Sequence, residues 1–182
     1  HLDYVEQIYF AGGEPLLMPE HWQILDLLKE NKKFGVKISY NTNCSIFTYN
    51  GKNVLDYWKL WEPTKLEVWP SIDEIDDRAE LIRAGTVWSK VQQNLIDLSK
   101  LDNIIVRPGL TIGAWNVFRL PEIITRLVDI GVIKSNPEHG YNYNNFFINL
   151  LEQPIHYHVN ILPDDFKACL LYTSDAADEG LG

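Results

Sequence analysis

Residues 7–17 read QIYFAGGEPLL, an apolar run that ends in a pair of glycines, an acid and a proline. The apolar run predicts a short buried strand. Gly12 and Gly13 let the main chain after the strand approach a ligand closely, and Pro15 stiffens the exit from the turn. Glu14 adds a negative acceptor suited to an ammonium group. The stretch therefore predicts a strand whose carboxyl end carries a ligand-binding loop.

Beyond this stretch, short apolar and β-branched runs alternate with segments of helical periodicity. The predicted strands are residues 7–11, 37–41, 65–71, 104–112 and 146–150. One helix is predicted to begin at Pro19, and others to cover residues 53–61, 88–100 and 120–130. Such alternation predicts repeated βα units and a parallel sheet, either an open doubly wound sheet or part of a βα barrel.

The composition of the chain limits the classes of protein to which it could belong. The chain has 182 residues, of which 46% are hydrophobic and 23% charged, which is typical of one globular domain. The formal net charge of −9 argues against nucleic acid as a partner, because it would repel the phosphate backbone. No apolar stretch approaches the roughly 20 residues that span a bilayer, and the first residues do not resemble a signal peptide. We therefore expect no membrane contact and a cytoplasmic location, which the widely separated Cys44 and Cys169 also favour.

The end of the chain differs from the rest. Residues 169–179, CLLYTSDAADE, resemble the translation of a sequencing adapter, and the alternative is a natural polar tail. We therefore predict that residues 1–168 form one folded unit and that residues 169–182 are a non-native tail.

Polar or glycine-containing segments follow four of the predicted strands: residues 12–15, 41–45, 71–73 and 111–116. In parallel α/β proteins the carboxyl ends of the strands meet at one edge of the sheet, where ligands bind. These four segments are therefore expected to lie together.

The same segments carry a family resemblance. Residues 12–15, GGEP, resemble the GGEP motif of radical S-adenosylmethionine (SAM) enzymes. Residues 40–43, YNTN, are similar to that family's strand-end Thr-Asn-Gly element, with Cys44 where glycine is usual. Residues 71–73, SID, resemble its Ser-Ile-Asp-Gly turn, with Glu74 in place of the glycine.

Two longer runs, residues 78–88 and 111–121, look like the radical SAM subgroup that carries a twitch domain. The resemblance covers about residues 7–167. It implies an α/β fold, a partial (βα)6 TIM-like barrel of parallel strands with outer helices, running from the second barrel strand to about the sixth.

The resemblance also implies roles for single residues. Gly12 and Gly13 would offer backbone groups, and Glu14 a carboxylate, to the amino group of SAM. Ser71 would bond the ribose, and Arg83 would pair with the SAM carboxylate. A zwitterionic head group needs an acceptor for its ammonium and a forked donor for its carboxylate, which Glu14 and Arg83 supply. The full predicted cofactor-binding set is Gly12, Gly13, Glu14, Pro15, Thr42, Asn43, Ser71, Asp73 and Arg83.

The second implied cofactor is a [4Fe-4S] cluster, held by three thiolates of a CxxxCxxC segment that would precede His1. In the intact enzyme SAM would be cleaved beside the cluster to a 5′-deoxyadenosyl radical, which abstracts hydrogen from a substrate. A peptide or protein is the substrate class that the family suggests. The chain as given lacks the cluster cysteines, so it is predicted to be inactive by itself.

Several site residues have simpler interpretations. Gly-Gly-Glu-Pro could be an ordinary turn after a strand. Arg83 could pair with Glu80 or Asp77 in a surface network. Ser71 and Thr42 could cap the helices that follow them. Residues 73–77 could form a solvated acidic turn.

Two other functions are open as well. The chain could be a non-catalytic, degenerate barrel that binds SAM or a partner protein. Its Gly12-Gly13 loop could instead cradle phosphate, although the carboxylate of Glu14 would repel an anion. His156 and His158 would share one face of a strand, but no third ligand lies nearby, so no metal site is predicted.

Overall fold

The computed structural model describes residues 2–136, 140–141 and 146–170. Short 3-10 turns connect several of the helices and strands. In chain order the helices and strands are β1 (Gln7–Phe10), α1 (Pro19–Glu30), β2 (Lys37–Thr42), β3 (Thr48–Tyr49), β4 (Lys52–Asn53), α2 (Leu55–Trp58), β5 (Leu66–Pro70), α3 (Asp76–Ile82), α4 (Trp88–Ser99), β6 (Ile105–Val106), β7 (Gly109–Ile112), α5 (Leu120–Asp129), β8 (Ser135–Asn136), β9 (Gly140–Tyr141) and β10 (Phe147–Leu150).

Parallel strands form the centre of the fold. Strands β1, β2, β5 and β6 pair side by side in that order, and β7 pairs with β10, all in parallel. A single parallel bridge from Ser71 to Gly109 connects the two groups. Among these parallel strands, the order in the sheet thus follows the order in the chain, while β3 with β4 and β8 with β9 form separate antiparallel pairs. The prediction of an α/β fold with a parallel sheet is confirmed.

One predicted strand is interrupted. Residues 104–112 were expected to be continuous, but they divide into β6 and β7 at Arg107 and Pro108. Arg107 still donates its backbone N–H to Val68 O at 2.9 Å, whereas Pro108 has no N–H to donate. The proline therefore interrupts the ladder with β5, which resumes as a single bridge at Gly109, where β7 also begins to pair with β10.

The helices follow the sequence patterns closely, with one exception. Helix α1 begins at Pro19, as predicted, because proline lacks the N–H that the first turn cannot satisfy. The second predicted helix, residues 53–61, is shorter and ends as α2 at Trp58. The side-chain amide of Asn103 donates to Trp58 O at 3.0 Å and Trp61 O at 2.8 Å, so these carbonyls find partners without a longer helix.

The hairpin β3–β4, helix α3 and the antiparallel pair β8–β9 were not predicted. An antiparallel hairpin joins β3 to β4 through Asn50 and Gly51, which both have positive φ. Asn-Gly is the strongest short signal for such a turn and was present in the sequence. Helix α3 occupies part of the predicted acidic turn, and Glu74 is only 2% exposed, so the interpretation as a solvated turn is wrong.

The core lies between the sheet and its helices. Tyr40 and Trp58 are fully buried, with ring centroids 5.0 Å apart, and Phe10 stacks on Tyr40 at 4.9 Å. This packing joins β1, β2 and α2 under the loops at the carboxyl edge. Among residues 2–136, 140–141 and 146–170, no helix has the length and apolar character needed to cross a membrane.

Candidate functional site

The loop after β1 is held by the carboxylate of Glu14. Its Oε1 accepts from the Thr42 hydroxyl at 2.7 Å and from Leu16 N at 3.3 Å, and its Oε2 accepts from Asn43 N at 2.9 Å. Gly12 has φ +114°, a conformation open essentially to glycine alone. The double glycine therefore serves a sharp turn, and Glu14 ties that turn to the end of β2.

The loop after β2 continues from these contacts. The Thr42 Oγ1 that donates to Glu14 also accepts from Cys44 N at 3.0 Å. Cys44 is fully buried and has φ +55°, the left-handed region that favours glycine. Burial, and next the charge of Glu14, raise the pKa of the Cys44 thiol. The thiol is therefore protonated and unreactive at neutral pH.

Beneath the first loop lies a buried histidine. His21 Nε2 and the Tyr40 hydroxyl are hydrogen bonded at 3.0 Å, and Phe10 meets the imidazole edge-on at 4.8 Å. Burial lowers the pKa of His21 to about 4, so the ring is neutral at pH 7. The neighbouring Trp22 donates Nε1–H to Leu16 O at 3.0 Å. Helix α1 thus anchors the exit of the Gly-Gly-Glu-Pro loop.

The loop after β5 contains an ion pair. Arg83 donates from Nη2 to Asp73 Oδ2 at 2.6 Å and from Nη1 to Ser71 O at 3.3 Å. Asp73 Oδ1 is buried, and no donor reaches it. Arg83 follows the last residue of α3 with an extended backbone, which turns it away from the helical spacing. Its partner is therefore Asp73, and the alternative pairing with Glu80 or Asp77 is wrong.

These residues surround one pocket at the carboxyl edge of the sheet. The pocket has an empty volume of about 280 Å³, including its open mouth, and its enclosed part has room for little more than a water molecule. Four predicted site residues contribute to its wall, together with Trp88 at the start of α4 and Thr86 just before that helix. The residues that line it include Asn43, Ser71, Asp73, Arg83, Thr86 and Trp88.

The other predicted residues lie beside the pocket. Glu14 accepts from Asn43 N, and the Thr42 hydroxyl donates to Glu14, so both residues support Asn43 without lining the pocket. Gly12, Gly13 and Pro15 do not line it. Neither proposed cap forms, because the residues before α2 and α3 make no side-chain capping bond and Thr42 bonds within its own loop.

A buried carboxylate, that of Glu74, also lines the pocket and fixes the loop after β5. Glu74 is 2% exposed and accepts from Arg119 Nε at 3.0 Å on both oxygens, and from Arg78 Nε at 3.3 Å. It also accepts from Ile75 N at 3.1 Å. Full burial of a carboxylate is tolerated because these donors replace the water it loses.

Asn116 adds a second contact to the same loop. It is fully buried and donates from Nδ2 to Asp73 O at 2.6 Å and to Thr111 O at 3.0 Å. Its Oδ1 accepts from Gly113 N at 2.8 Å. Sequence reasoning missed Glu74, Asn116 and Arg119 as site residues. The only signal in the sequence was Glu74, which stands where the resemblance expects glycine. That signal did not reveal Arg119, the partner of Glu74 that lies 45 residues later.

The residues His156 and His158 do not form the strand that was considered for them. A 3-10 turn covers Ile155–Tyr157, and His158 Nδ1 accepts from Asn160 N at 3.0 Å. In the part of the chain that the structure describes, no group of three or more His, Cys, Asp or Glu residues is suited to hold a metal ion.

Comparison with known proteins identifies no family for this chain. The chain matches no protein-family model, and a search of curated proteins gives no match.

Proposed function

We propose that this chain is the SAM-binding part of a radical SAM enzyme. The observation that carries the proposal is a pocket at the carboxyl edge of the sheet, where Ser71, Asp73 and Arg83 meet. Ser71 and Asp73 belong to the segment that resembles the family's Ser-Ile-Asp turn. Arg83 is the arginine that the resemblance expects to bind the SAM carboxylate. Glu14 supports the opposite wall by holding Asn43 N at 2.9 Å.

The order of the strands supports a barrel over a doubly wound sheet. A doubly wound sheet reverses its strand order at the point where ligands bind. The described strands instead follow one another in chain order, from β1 through β2, β5 and β7 to β10. We propose that they are consecutive strands of a partial (βα)6 barrel, with the pocket on the face where barrel enzymes hold their ligands.

The donor set fits the amino-acid end of SAM. Arg83 uses two of its five N–H donors on Asp73 and Ser71 O, which leaves others for a carboxylate. The structure gives the Ser71 hydroxyl no hydrogen bond among the described residues, so it can serve a ribose. The pocket has about 280 Å³ of empty space including its open mouth, so it could contact a head group at its surface but could not enclose the whole molecule.

The iron-sulfur cluster would need ligands from outside this chain. The chain has two cysteines, and the thiol of Cys44 is buried with a raised pKa. SAM beside a reduced cluster supplies a 5′-deoxyadenosyl radical for hydrogen abstraction. The contribution that we propose for these residues is to bind and orient SAM. A peptide or protein substrate stays a prediction from the family resemblance.

Binding of S-adenosylhomocysteine, measured by calorimetry on the purified chain, tests this proposal. We expect saturable binding that weakens at least about tenfold in Arg83→Met, because a charge-assisted pair to the ligand carboxylate is lost. Lys100→Met removes an exposed ion pair with Asp97 far from the pocket and serves as the control. Equal affinity in Arg83→Met and the unchanged chain, or no binding by the unchanged chain, would refute the proposal.

A further inference from the structure

Helix α3 borders a second cavity, on a different face from the one that borders the pocket described above. Ala79 and Arg83 line that pocket, whereas residues spaced three and four apart on α3 line the second cavity. The residues of this second cavity, the α3 cleft, are Arg78, Leu81, Ile82, Trp115 and Tyr157. The cleft is open to solvent and has a volume of about 330 Å³, which is within the range of small-molecule sites.

One wall of the α3 cleft is aromatic and is held by the backbone. The rings of Trp115 and Tyr157 meet edge-to-face with their centroids 4.1 Å apart. The loops that carry them, after β7 and β10, are joined by Ala114 N, which donates to Tyr157 O at 2.8 Å. A Cβ at Gly113 would lie 2.8 Å from the same carbonyl oxygen, so only glycine permits this close approach. The aromatic wall is therefore preformed.

Apolar side chains in the α3 cleft remain open to solvent. Leu81 is 83% exposed and Tyr157 is 39% exposed, although both line a concave surface. Exposed apolar groups that gather in a concavity are typical of ligand-binding sites. A ligand ring in the cleft would cover Leu81 and pack against the aromatic wall.

Arg78 is the only charged residue that lines the α3 cleft in the described part of the chain. It donates from Nε to Glu74 at 3.3 Å and from Nη2 to Trp115 O at 3.0 Å, which fixes the guanidinium beside the aromatic wall. Glu74 is closer to Arg119, at 3.0 Å, so it compensates the charge of Arg78 only in part. The side chain of Arg78 is 49% exposed, and its Nη1 has no hydrogen bond to any described residue. The guanidinium can therefore receive a carboxylate.

We propose that the α3 cleft binds an aromatic carboxylate, with the ring against Trp115 and Tyr157 and the carboxylate at Arg78. The inference rests on the proposed function in one respect, because it takes this ligand to be the substrate of the SAM-dependent reaction. A net charge of −9 disfavours anions over most of the surface, so a cation beside an apolar wall selects the place where an anionic ring binds. A free aromatic acid and the C-terminal aromatic residue of a peptide both have this chemistry.

The test is an NMR titration of the full chain with N-acetylphenylalanine and with its amide, which keeps the ring and lacks the charge. We expect the acid to bind at least about fivefold more tightly, because only the acid pairs with Arg78. N-acetylalanine has the charge without the ring and should bind at least about fivefold more weakly than N-acetylphenylalanine. Acetyl-Gly-Gly-Phe distinguishes the two sources: tighter binding than N-acetylphenylalanine assigns the cleft to a peptide terminus, and equal or weaker binding assigns it to a free acid.

Two variants locate the site. Arg78→Met should bring the acid and the amide to within about twofold of each other, and Glu74 keeps Arg119 as its partner in this variant. Leu81→Glu changes a side chain that is 83% exposed, so it leaves the fold intact and adds a negative charge that should weaken the acid more than the amide. Lys100→Met removes an exposed cation outside the cleft and should keep the preference for the acid.

Equal affinity of the unchanged chain for the acid and the amide would overturn the inference. A preference that is unchanged in either Arg78→Met or Leu81→Glu would overturn it as well. Binding of S-adenosylhomocysteine by the same samples separates this failure from failure of the proposed function. A chain that binds S-adenosylhomocysteine without preferring the acid refutes the inference alone. A chain that prefers the acid without binding S-adenosylhomocysteine refutes the proposed function, and with it the assignment of the ligand as a substrate.

Discussion

The loops after β2 and β5 lie at the same edge of the sheet, and each has a side chain where the family resemblance expects glycine. In the first loop, Cys44 keeps a glycine-like backbone at φ +55° and buries its thiol. In the second, Glu74 has no positive φ, and its carboxylate is buried among Arg119, Arg78 and Ile75 N. The left-handed residue in that loop is Asp76 instead, at φ +55°.

The two loops are therefore held in place by different kinds of interaction. The loop after β2 is held by hydrogen bonds from Thr42 and Asn43 to Glu14, which lies in the loop after the neighbouring strand β1. The loop after β5 depends on long-range ion pairs from the segment before α5. The first loop should therefore respond to strain and to burial, and the second to loss of charge.

Removal of Arg119 should have the largest effect. Arg119→Met leaves the fully buried Glu74 with only the weaker contact to Arg78, at 3.3 Å, as its charged partner. We expect the free energy of unfolding to fall by about 3 kcal/mol, because an uncompensated charge remains buried. Urea unfolding measures this change.

The matched control is Lys59→Met, which removes the exposed pair with Asp56 and should change stability by less than about 0.5 kcal/mol. If Arg119→Met behaved like this control, the second loop would not depend on its ion pairs.

Lowering the pH should reduce the stability of the chain through His21. Burial lowers the pKa of His21 to about 4 in the folded chain, below its ordinary 6.5. Between these values the unfolded chain binds more protons, so stability is complete above the unfolded pKa and falls as the pH falls. From pH 7.5 to pH 5 this residue should remove about 2 kcal/mol.

His21→Leu cannot titrate, so urea unfolding of this variant and the unchanged chain at both pH values isolates the effect. The stability gap between the two chains should shift in favour of the variant at pH 5. A gap that stays constant with pH would show that His21 titrates equally in the folded and unfolded states.

Glycine at position 44 should have the smallest effect. Cys44→Gly removes a small buried side chain, but it also relieves a left-handed backbone that costs a non-glycine residue about 1–2 kcal/mol. We expect stability to stay within about 1 kcal/mol of the unchanged chain, as measured by urea unfolding. A loss as large as that of Arg119→Met would contradict the contrast between the loops.

The strands and most helices were accessible to sequence reasoning because their signals are local. Apolar runs bounded by glycine or polar residues indicated β1, β2 and β5, and a proline marked the start of α1 at Pro19. The hairpin at Asn50 and Gly51 was also marked by a local signal, the Asn-Gly pair, which lies outside the βα alternation. Pro108 gave the same kind of signal for the break between β6 and β7.

The contacts of the site were not accessible because they are long-range. The acidic segment left Glu80 or Asp77 open as alternative partners for Arg83, but Arg83 lies just beyond α3 with an extended backbone. Its pairing with Asp73 therefore follows from the end of the helix, not from helical spacing. Glu74 is likewise explained only by Arg119, which the fold brings to it from a later βα unit.

The central claim is that the loops after β2 and β5 form one binding site, which the loop after β1 supports through Glu14. Hydrogen exchange of the full chain, followed by mass spectrometry with and without S-adenosylhomocysteine, tests it most directly. We predict slower exchange in residues 42–45 and 71–86 when the ligand is present, with little change around Glu152 and Ile161, which line a separate pocket. Unchanged exchange in both loops, or protection confined to that other pocket, would contradict the account.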